Sequence, residues 1–343
     1  MYTGDAAQVD PYDCVYWRLL VSSSPEPESR ICRSLRPFGT TIFAEMTALS
    51  IKSGAVNLSQ GFPDFEGPES VRRRAARAIL EGPNQYVQSD GVPALRQAVA
   101  EKMKRFYGLE VDPETEVTIT AGASEGIAAS LLGLVDPGDE VILFEPCYDL
   151  YAPMVARAGG KAIYVALEGV ENLLQSKKIK TAFTHRTRAI IINNPLNPNG
   201  KVFTADELEL IGNLCAEFDS IAIGDEVYEH LTYDGRRHIT LLAVPALKDR
   251  SIVISSTAKT FSMTGWKVGY AISAPPLSAA VRACHQFLTF CTPGALQEAM
   301  AVGIGMADGY YADLLKGYTR KRERLCRALE PIALSKTDPP VLR

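Results

Sequence analysis

From about Pro68 onward, short apolar runs rich in β-branched residues alternate with longer stretches of mixed polarity. The runs are VTIT (117–120), EVILF (140–144), KAIYV (161–165), AIIIN (189–193), SIAIG (220–224), SIVIS (251–255) and VGYAI (268–272). Consecutive apolar residues, rather than strict alternation, predict strands buried on both faces. Between most of them lie amphipathic stretches with helical spacing, among them 68–80, 92–107, 205–218 and 277–290. Such alternation predicts an α/β protein: a mostly parallel sheet of about seven strands covered by helices on both sides, a three-layer α/β/α sandwich. Runs 251–255 and 268–272 have no helix between them, so one antiparallel neighbour is expected there. After Pro293 the pattern is long and helical, and predicts one or two helices joined near Asp308 and Gly309. Residues 1–30, interrupted by Ser22–Ser24, Pro25 and Pro27, read as a disordered tail.

Composition narrows the classes. The 343 residues are 46% hydrophobic and 22% charged, enough for a large core and about two domains. With 36 basic and 40 acidic residues the net charge is −4, so no basic excess points to nucleic acid or anionic lipid. No apolar run of about 18 residues predicts a membrane span. The N-terminus lacks the basic start of a signal peptide. Seven cysteines with no CxxC spacing read as reduced thiols, and a cytoplasmic protein is expected. His185, His230, His238 and His285 show no metal-ligand spacing, so no metal is expected.

In an open α/β sheet, ligands bind outside the carboxyl ends of the strands. The residues just after the predicted strands therefore share one rim: Gly122-Ala123-Ser124, Tyr148, Asn197 with Pro198, Asp225 with Tyr228, and Ser256 with Lys259. Taken singly, each has a plain structural reading. Gly122–Ser124 is then a capped helix start, Tyr148 packing, Asn197-Pro198 a turn, Asp225 a helix cap and Lys259 a solvated charge. Taken together they suit one ligand, pyridoxal phosphate. Its phosphate needs N–H groups at a helix N-terminus, completed by Ser124, Ser256 and Lys267. Its aldehyde needs a lysine of lowered pKa, Lys259, for a Schiff base. Its ring nitrogen needs a carboxylate, Asp225. Its phenolic oxygen can accept from Asn197 and Tyr228, and Tyr148 can stack on the ring.

The segments GFPDFEGP (61–68), NQYVQSDGVPALR (84–96), TITAGASEGI (118–127), EPCYDLY (145–151), NNPLNPNGK (193–201), DEVYEH (225–230) and SSTAKTFSMTGWKVGY (255–270) resemble those of the class I/II aminotransferases of pyridoxal-phosphate fold type I. PFGTTIFAEMTALS (37–50) and AVNLSQGFPDFEGP (55–68) are most similar to the kynurenine–oxoglutarate, methionine and N-succinyldiaminopimelate aminotransferase branch. The resemblance implies transfer of an amino group from an amino acid to a 2-oxo acid. It makes Lys259 the Schiff-base lysine and proton shuttle, Asp225 the partner of the ring nitrogen, and Asn197 and Tyr228 the partners of the phenolic oxygen. Tyr148 stacks on the ring, and Gly122, Ala123, Ser124, Ser256 and Lys267 hold the phosphate. Tyr86 is implied to reach the neighbouring subunit's cofactor, hence a homodimer, and Gly61, with Asn197, to line the substrate carboxylate site.

The family's layout places residues 67–295 in a large cofactor domain, with 31–66 and 296–343 in a small one. The sequence ends at Arg343, ahead of the family's C-terminal lobe and its carboxylate-gripping arginine, so good cofactor binding with poor turnover is expected. Two alternatives share the scaffold: a cysteine-conjugate β-lyase, and a non-catalytic cofactor-binding or dimerising remnant. A generic nucleotide-binding protein lacks both GxGxxG and GxxxxGK[ST] here.

Overall fold

The computed structural model describes residues 30–330 apart from 62, 170 and 171. The expected tail therefore lies, but for Arg30, outside the described residues, as do residues 331–343. All seven apolar runs form strands: β1 (Val117–Thr120), β2 (Glu140–Glu145), β3 (Lys161–Ala166), β4 (Thr187–Asn193), β5 (Ile221–Asp225), β6 (Ser251–Ser256) and β7 (Gly269–Ser273). They make one sheet in the order β1-β7-β6-β5-β4-β2-β3. β7 runs against both β6 and β1, while the remaining pairs are parallel. The shared direction of the other six strands aims their carboxyl ends at one rim.

Eleven α-helices accompany the sheet among the described residues: α1 (Ile42–Ser53), α2 (Glu69–Glu81), α3 (Pro93–Tyr107), α4 (Gly122–Leu134), α5 (Tyr151–Arg157), α6 (Ser176–Ala182), α7 (Ala205–Glu217), α8 (Thr257–Thr260), α9 (Pro275–Leu288), α10 (Gly294–Ile304) and α11 (Asp308–Leu329). Alternate residues of the central strands feed two separate cores. Ile142, Phe144, Ile190 and Ile192 pack with α2, α3, α6, α7 and α10 through Val71, Leu95, Ile179, Leu208 and Met300. Val141, Leu143, Ala189 and Ile191 pack with α4, α5 and α9 through Ile127, Val155 and Val281. This is the three-layer sandwich expected, since a strand apolar on both sides needs helices on both.

β3 departs from the expectation of burial on both faces. It is an edge strand, and Tyr164 is 46% exposed. Local signals set the helix ends. Thr204 and Glu207 form a reciprocal capping box at the start of α7. Pro93 opens α3, and Gly108 closes it in the left-handed region. α11 is tied back to the body by Tyr310, which stacks on Phe261 and donates to the Thr260 carbonyl at 2.8 Å. α1 carries the apolar residues Ile42, Phe43, Met46 and Leu49, yet none of its residues is buried.

Candidate active site

At the carboxyl rim lies a cleft of about 400 Å³. Its wall contains Gly61, Gly122, Ala123, Ser124, Tyr148, Asn197, Asp225, Tyr228, Ser256, Lys259 and Lys267. Every residue singled out from the sequence is thus brought together, with one exception. Tyr86 is 85% exposed, lies outside the cleft of its own chain, and meets Phe290 edge-on at 5.3 Å.

The cleft has an anion-seeking end. α4 begins at Gly122, whose φ is +76°, and no side chain caps it. The capped-helix reading of Gly122–Ser124 therefore fails, and the first-turn residues Gly122, Ala123 and Ser124, whose N–H groups have no partner within the helix, line the cleft. A Cβ on Gly269 would stand 2.6 Å from the Gly122 carbonyl carbon and 2.8 Å from the Ala123 nitrogen, so glycine is needed for β7 to pass the helix start. Lys267 sits in the left-handed region, and its Nζ would lie 3.3 Å from a Cβ placed on Gly122. A cation held over a helix N-terminus is electrostatically unfavourable unless an anion lies between them.

The opposite end is carboxylate. Asp225 closes β5, 4% exposed, and is followed by a turn rather than a helix, so it caps no helix. Tyr151 donates to its Oδ2 at 2.7 Å, and the Val227 N–H to its Oδ1 at 3.4 Å. Burial, only partly opposed by these donors, pushes its pKa up to about 6. A carboxylate at this depth, bonded only to neutral donors, suits a buried N–H⁺.

Between the two ends stands Lys259, half-buried rather than solvated. Its Nζ donates to the Gly61 carbonyl at 2.6 Å and lies 5.8 Å from the Tyr228 ring centre. Burial lowers its pKa, the Asp225 charge opposes the shift, and Lys267 reinforces it. Burial likewise raises the Tyr228 and Tyr148 hydroxyls, keeping both as donors. Asn193 ties the loop: its Nδ2 donates to the Asp225 carbonyl at 2.8 Å, and its Oδ1 accepts from Asn197 N at 2.6 Å. That bond fixes the Asn197 backbone beside the cleft, beyond what a plain turn requires.

Sequence reasoning missed Tyr151, Asn193, Phe43, Ser59, Gln60 and Thr264. Tyr151 had a signal, one helical turn after Tyr148. Phe43 reaches Tyr148 at 6.4 Å across a long sequence gap that no local pattern reveals.

A family model described as "Aminotransferase class I and II" matches residues 53–340. "Probable N-succinyldiaminopimelate aminotransferase DapC" of Mycobacterium tuberculosis is 44% identical over 306 residues, covering 89% of this chain and 77% of that protein. "Methionine aminotransferase" of Escherichia coli is 41% identical over 295 residues, 86% of this chain and 76% of that one. "Kynurenine--oxoglutarate transaminase" of Dictyostelium discoideum is 36% identical, over 88% and 74%. The solved N-succinyldiaminopimelate aminotransferase from Mycobacterium tuberculosis superposes with a TM-score of 0.86 over 88% of this chain and 79% of that one. These three relatives are the branch that the segments at 37–68 resemble. All are named as transaminating enzymes, and neither the lyase nor the remnant reading is favoured by them.

Proposed function

The chain belongs to the aminotransferases of class I and II and has their fold type I architecture, and from that premise we propose how its cleft serves amino-group transfer. The activity is that of an aminotransferase. We infer that the cleft holds pyridoxal phosphate and that the substrates are an amino acid and a 2-oxo acid. The fit is supported group by group. The uncapped α4 start with Ser124, Ser256 and Lys267 would hold the phosphate, and Tyr148 would face the ring. Asn197 and Tyr228 would donate to the phenolic oxygen, and Asp225 would face the ring nitrogen. Bound there, the cofactor supplies an aldehyde to take the amino group and a protonated ring that withdraws electrons from the substrate α-carbon.

The chain's own groups do the rest. Asp225, ionised above about pH 6, holds a proton on a facing ring nitrogen. Lys259 Nζ, its pKa lowered by burial, gives up its proton more readily than a solvated lysine and so can meet an aldehyde carbon. Released from that role, the same amine accepts the α-proton of the amino acid. In the second half-reaction it returns a proton to the α-carbon derived from the 2-oxo acid. Gly61 and Asn197 border the place for the substrate carboxylate. Tyr86, outside its own cleft, is assigned to the cleft of a second copy in a homodimer. The division into a large domain at 67–295 and a small one from 31–66 and 296 onward belongs to the same reading, as does a cytoplasmic setting. The expectation of poor turnover concerned the end of the sequence, where residues 331–343 lie outside the described residues.

One observation carries the reading: a half-buried amine, a buried carboxylate and an anion-seeking helix start share one cleft. Borohydride treatment of protein incubated with pyridoxal phosphate should fix the label on Lys259, and amino acids should yield 2-oxo acids in a half-reaction. A label retained on another lysine in Lys259→Ala would overturn the assignment. Pyruvate release without an acceptor would point back to the lyase.

A further inference from the structure

Four residues after Asp225 and one after Tyr228, another acid is buried away from the cleft. Glu229 is 6% exposed and Lys102, on α3, is also 6% exposed, and neither lines the cleft. Glu229 Oε2 accepts from Lys102 Nζ at 2.5 Å and from the Tyr107 hydroxyl at 2.5 Å. Glu229 Oε1 accepts from the Ser255 hydroxyl at 2.7 Å, with the Tyr270 hydroxyl farther off at 3.4 Å. Burial works to raise the carboxyl, but the Lys102 charge, helped by His230 and His238, outweighs it and holds the group well below the usual range. A buried ion pair is a poor source of stability, because desolvation of both charges offsets their attraction. Its position in the fold supplies another reason for it.

The parallel ladder between β5 and β6 reaches Asp225 opposite Ile254, and its last bond runs from Glu226 N to the Ile254 carbonyl at 2.8 Å. Tyr228 beyond β5, and Ser256 at the end of β6 with Lys259 beyond it, all lie past that rung. Ser256 is still paired with Gly269 of β7, but the β5–β6 ladder itself no longer spaces Tyr228 from Lys259. The Glu229–Ser255 bond crosses the gap just past it. Ser255 is followed directly by Ser256, whose Oγ caps α8 by accepting from Ala258 N at 2.9 Å, and α8 carries Lys259. We propose that Glu229 is a positioning residue whose Oε1 bond to Ser255 sets the strand-end register between Tyr228 and Lys259, while its Oε2 side anchors it to α3. This goes beyond the cofactor assignments above and rests on them only for the identity of the groups being positioned.

The two oxygens allow a paired test. Ser255→Ala removes the donor on the cleft side, and Tyr107→Phe removes one on the α3 side. Each deletes one hydroxyl from the same carboxylate, and neither residue lines the cleft. Two readouts apply: the Kd for pyridoxal phosphate, and the rate at which an amine-selective reagent labels Lys259 in the cofactor-free protein. Ser255→Ala should weaken cofactor binding roughly tenfold, the scale of one lost hydrogen bond to a charged group, and change Lys259 labelling several-fold. Tyr107→Phe should lower the thermal midpoint while leaving both readouts near wild type. Equal effects of the two variants on Lys259 labelling, or no effect of either, would overturn the bridge. The labelling arm needs no cofactor, so it decides the bridge even if wild-type protein took up no pyridoxal phosphate, a result that would refute the functional reading instead.

Discussion

Asp225 and Lys259 are pushed toward neutrality by the same burial, the acid upward and the amine downward. For Asp225 the consequence reaches stability. Its folded pKa of about 6 lies above the unfolded value near 3.8. In cofactor-free protein its contribution is therefore present below about pH 4 and is lost as pH rises through 6, on the order of 3 kcal/mol in all. Asp225→Asn cannot ionise. Urea unfolding at pH 4.5 and 7.5 should show wild type losing more stability over that interval than the variant, although the variant loses transamination. Parallel pH dependence of the two proteins would contradict the burial argument. Tyr151→Phe removes the donor at 2.7 Å that favours the charged form, so the wild-type midpoint should move above 6 in that variant. Both acid and amine are legible in the sequence because Asp225 ends an apolar strand and Lys259 follows one within three residues. Tyr151 is not, because a buried tyrosine on a short helix looks like packing until its hydroxyl partner is known.

At the scale of elements, the chemistry hangs on the approach of β7 to the start of α4. Gly269→Ala would force backbone apart, since the new Cβ would meet the Gly122 carbonyl carbon and the Ala123 nitrogen, neither able to turn aside as a side chain can. Overpacking of this kind costs about 1–3 kcal/mol. It displaces the N–H groups that would cradle an anion. The variant should bind pyridoxal phosphate and inorganic phosphate both more weakly by about tenfold or more, while absorbance changes tied to Lys259 persist at saturating cofactor. Unchanged phosphate affinity, measured by competition, would remove the helix start from the site. The strands were readable because consecutive apolar residues allow little else in a buried sheet. α5 and α6, seven residues each, are too short to show a period. α1 carries its own signals, although it precedes the alternation of strands and helices that marks the rest. Ile42, Phe43, Met46 and Leu49 repeat at helical spacing, Thr41 accepts from Ala44 N at 3.3 Å, and Gly54 closes the helix in the left-handed region.

At the scale of the molecule, large apolar side chains stand in solvent on the last turn of α2, on the α2–α3 connection and at the end of α9. Leu80 is 85% exposed, Tyr86 85% and Phe287 86%, with Phe290 against Tyr86. Scattered apolar residues on a surface need no explanation, but Tyr86 and Phe290 touch, and Leu80 and Phe287 lie within a few residues of them along the chain. Aromatic residues of this kind supply much of the energy of protein interfaces. A homodimer that buries them would also carry Tyr86 toward a second cleft, the role that the proposed function gives it. The protein should therefore sediment as a dimer. Leu80→Asp with Phe287→Asp, each placing a charge where desolvation is demanded, should raise the dimer Kd by on the order of a thousandfold and yield monomer at micromolar concentration. Cofactor affinity should fall with the dimer, and Tyr86→Phe should weaken it without dissociating the subunits. That pairing would separate two proposed roles for one surface: apolar residues that hold the copies together, and a Tyr86 hydroxyl that acts across the boundary. A monomeric wild type, or a Tyr86→Phe variant with undiminished cofactor affinity in an intact dimer, would leave each cleft dependent on its own chain alone.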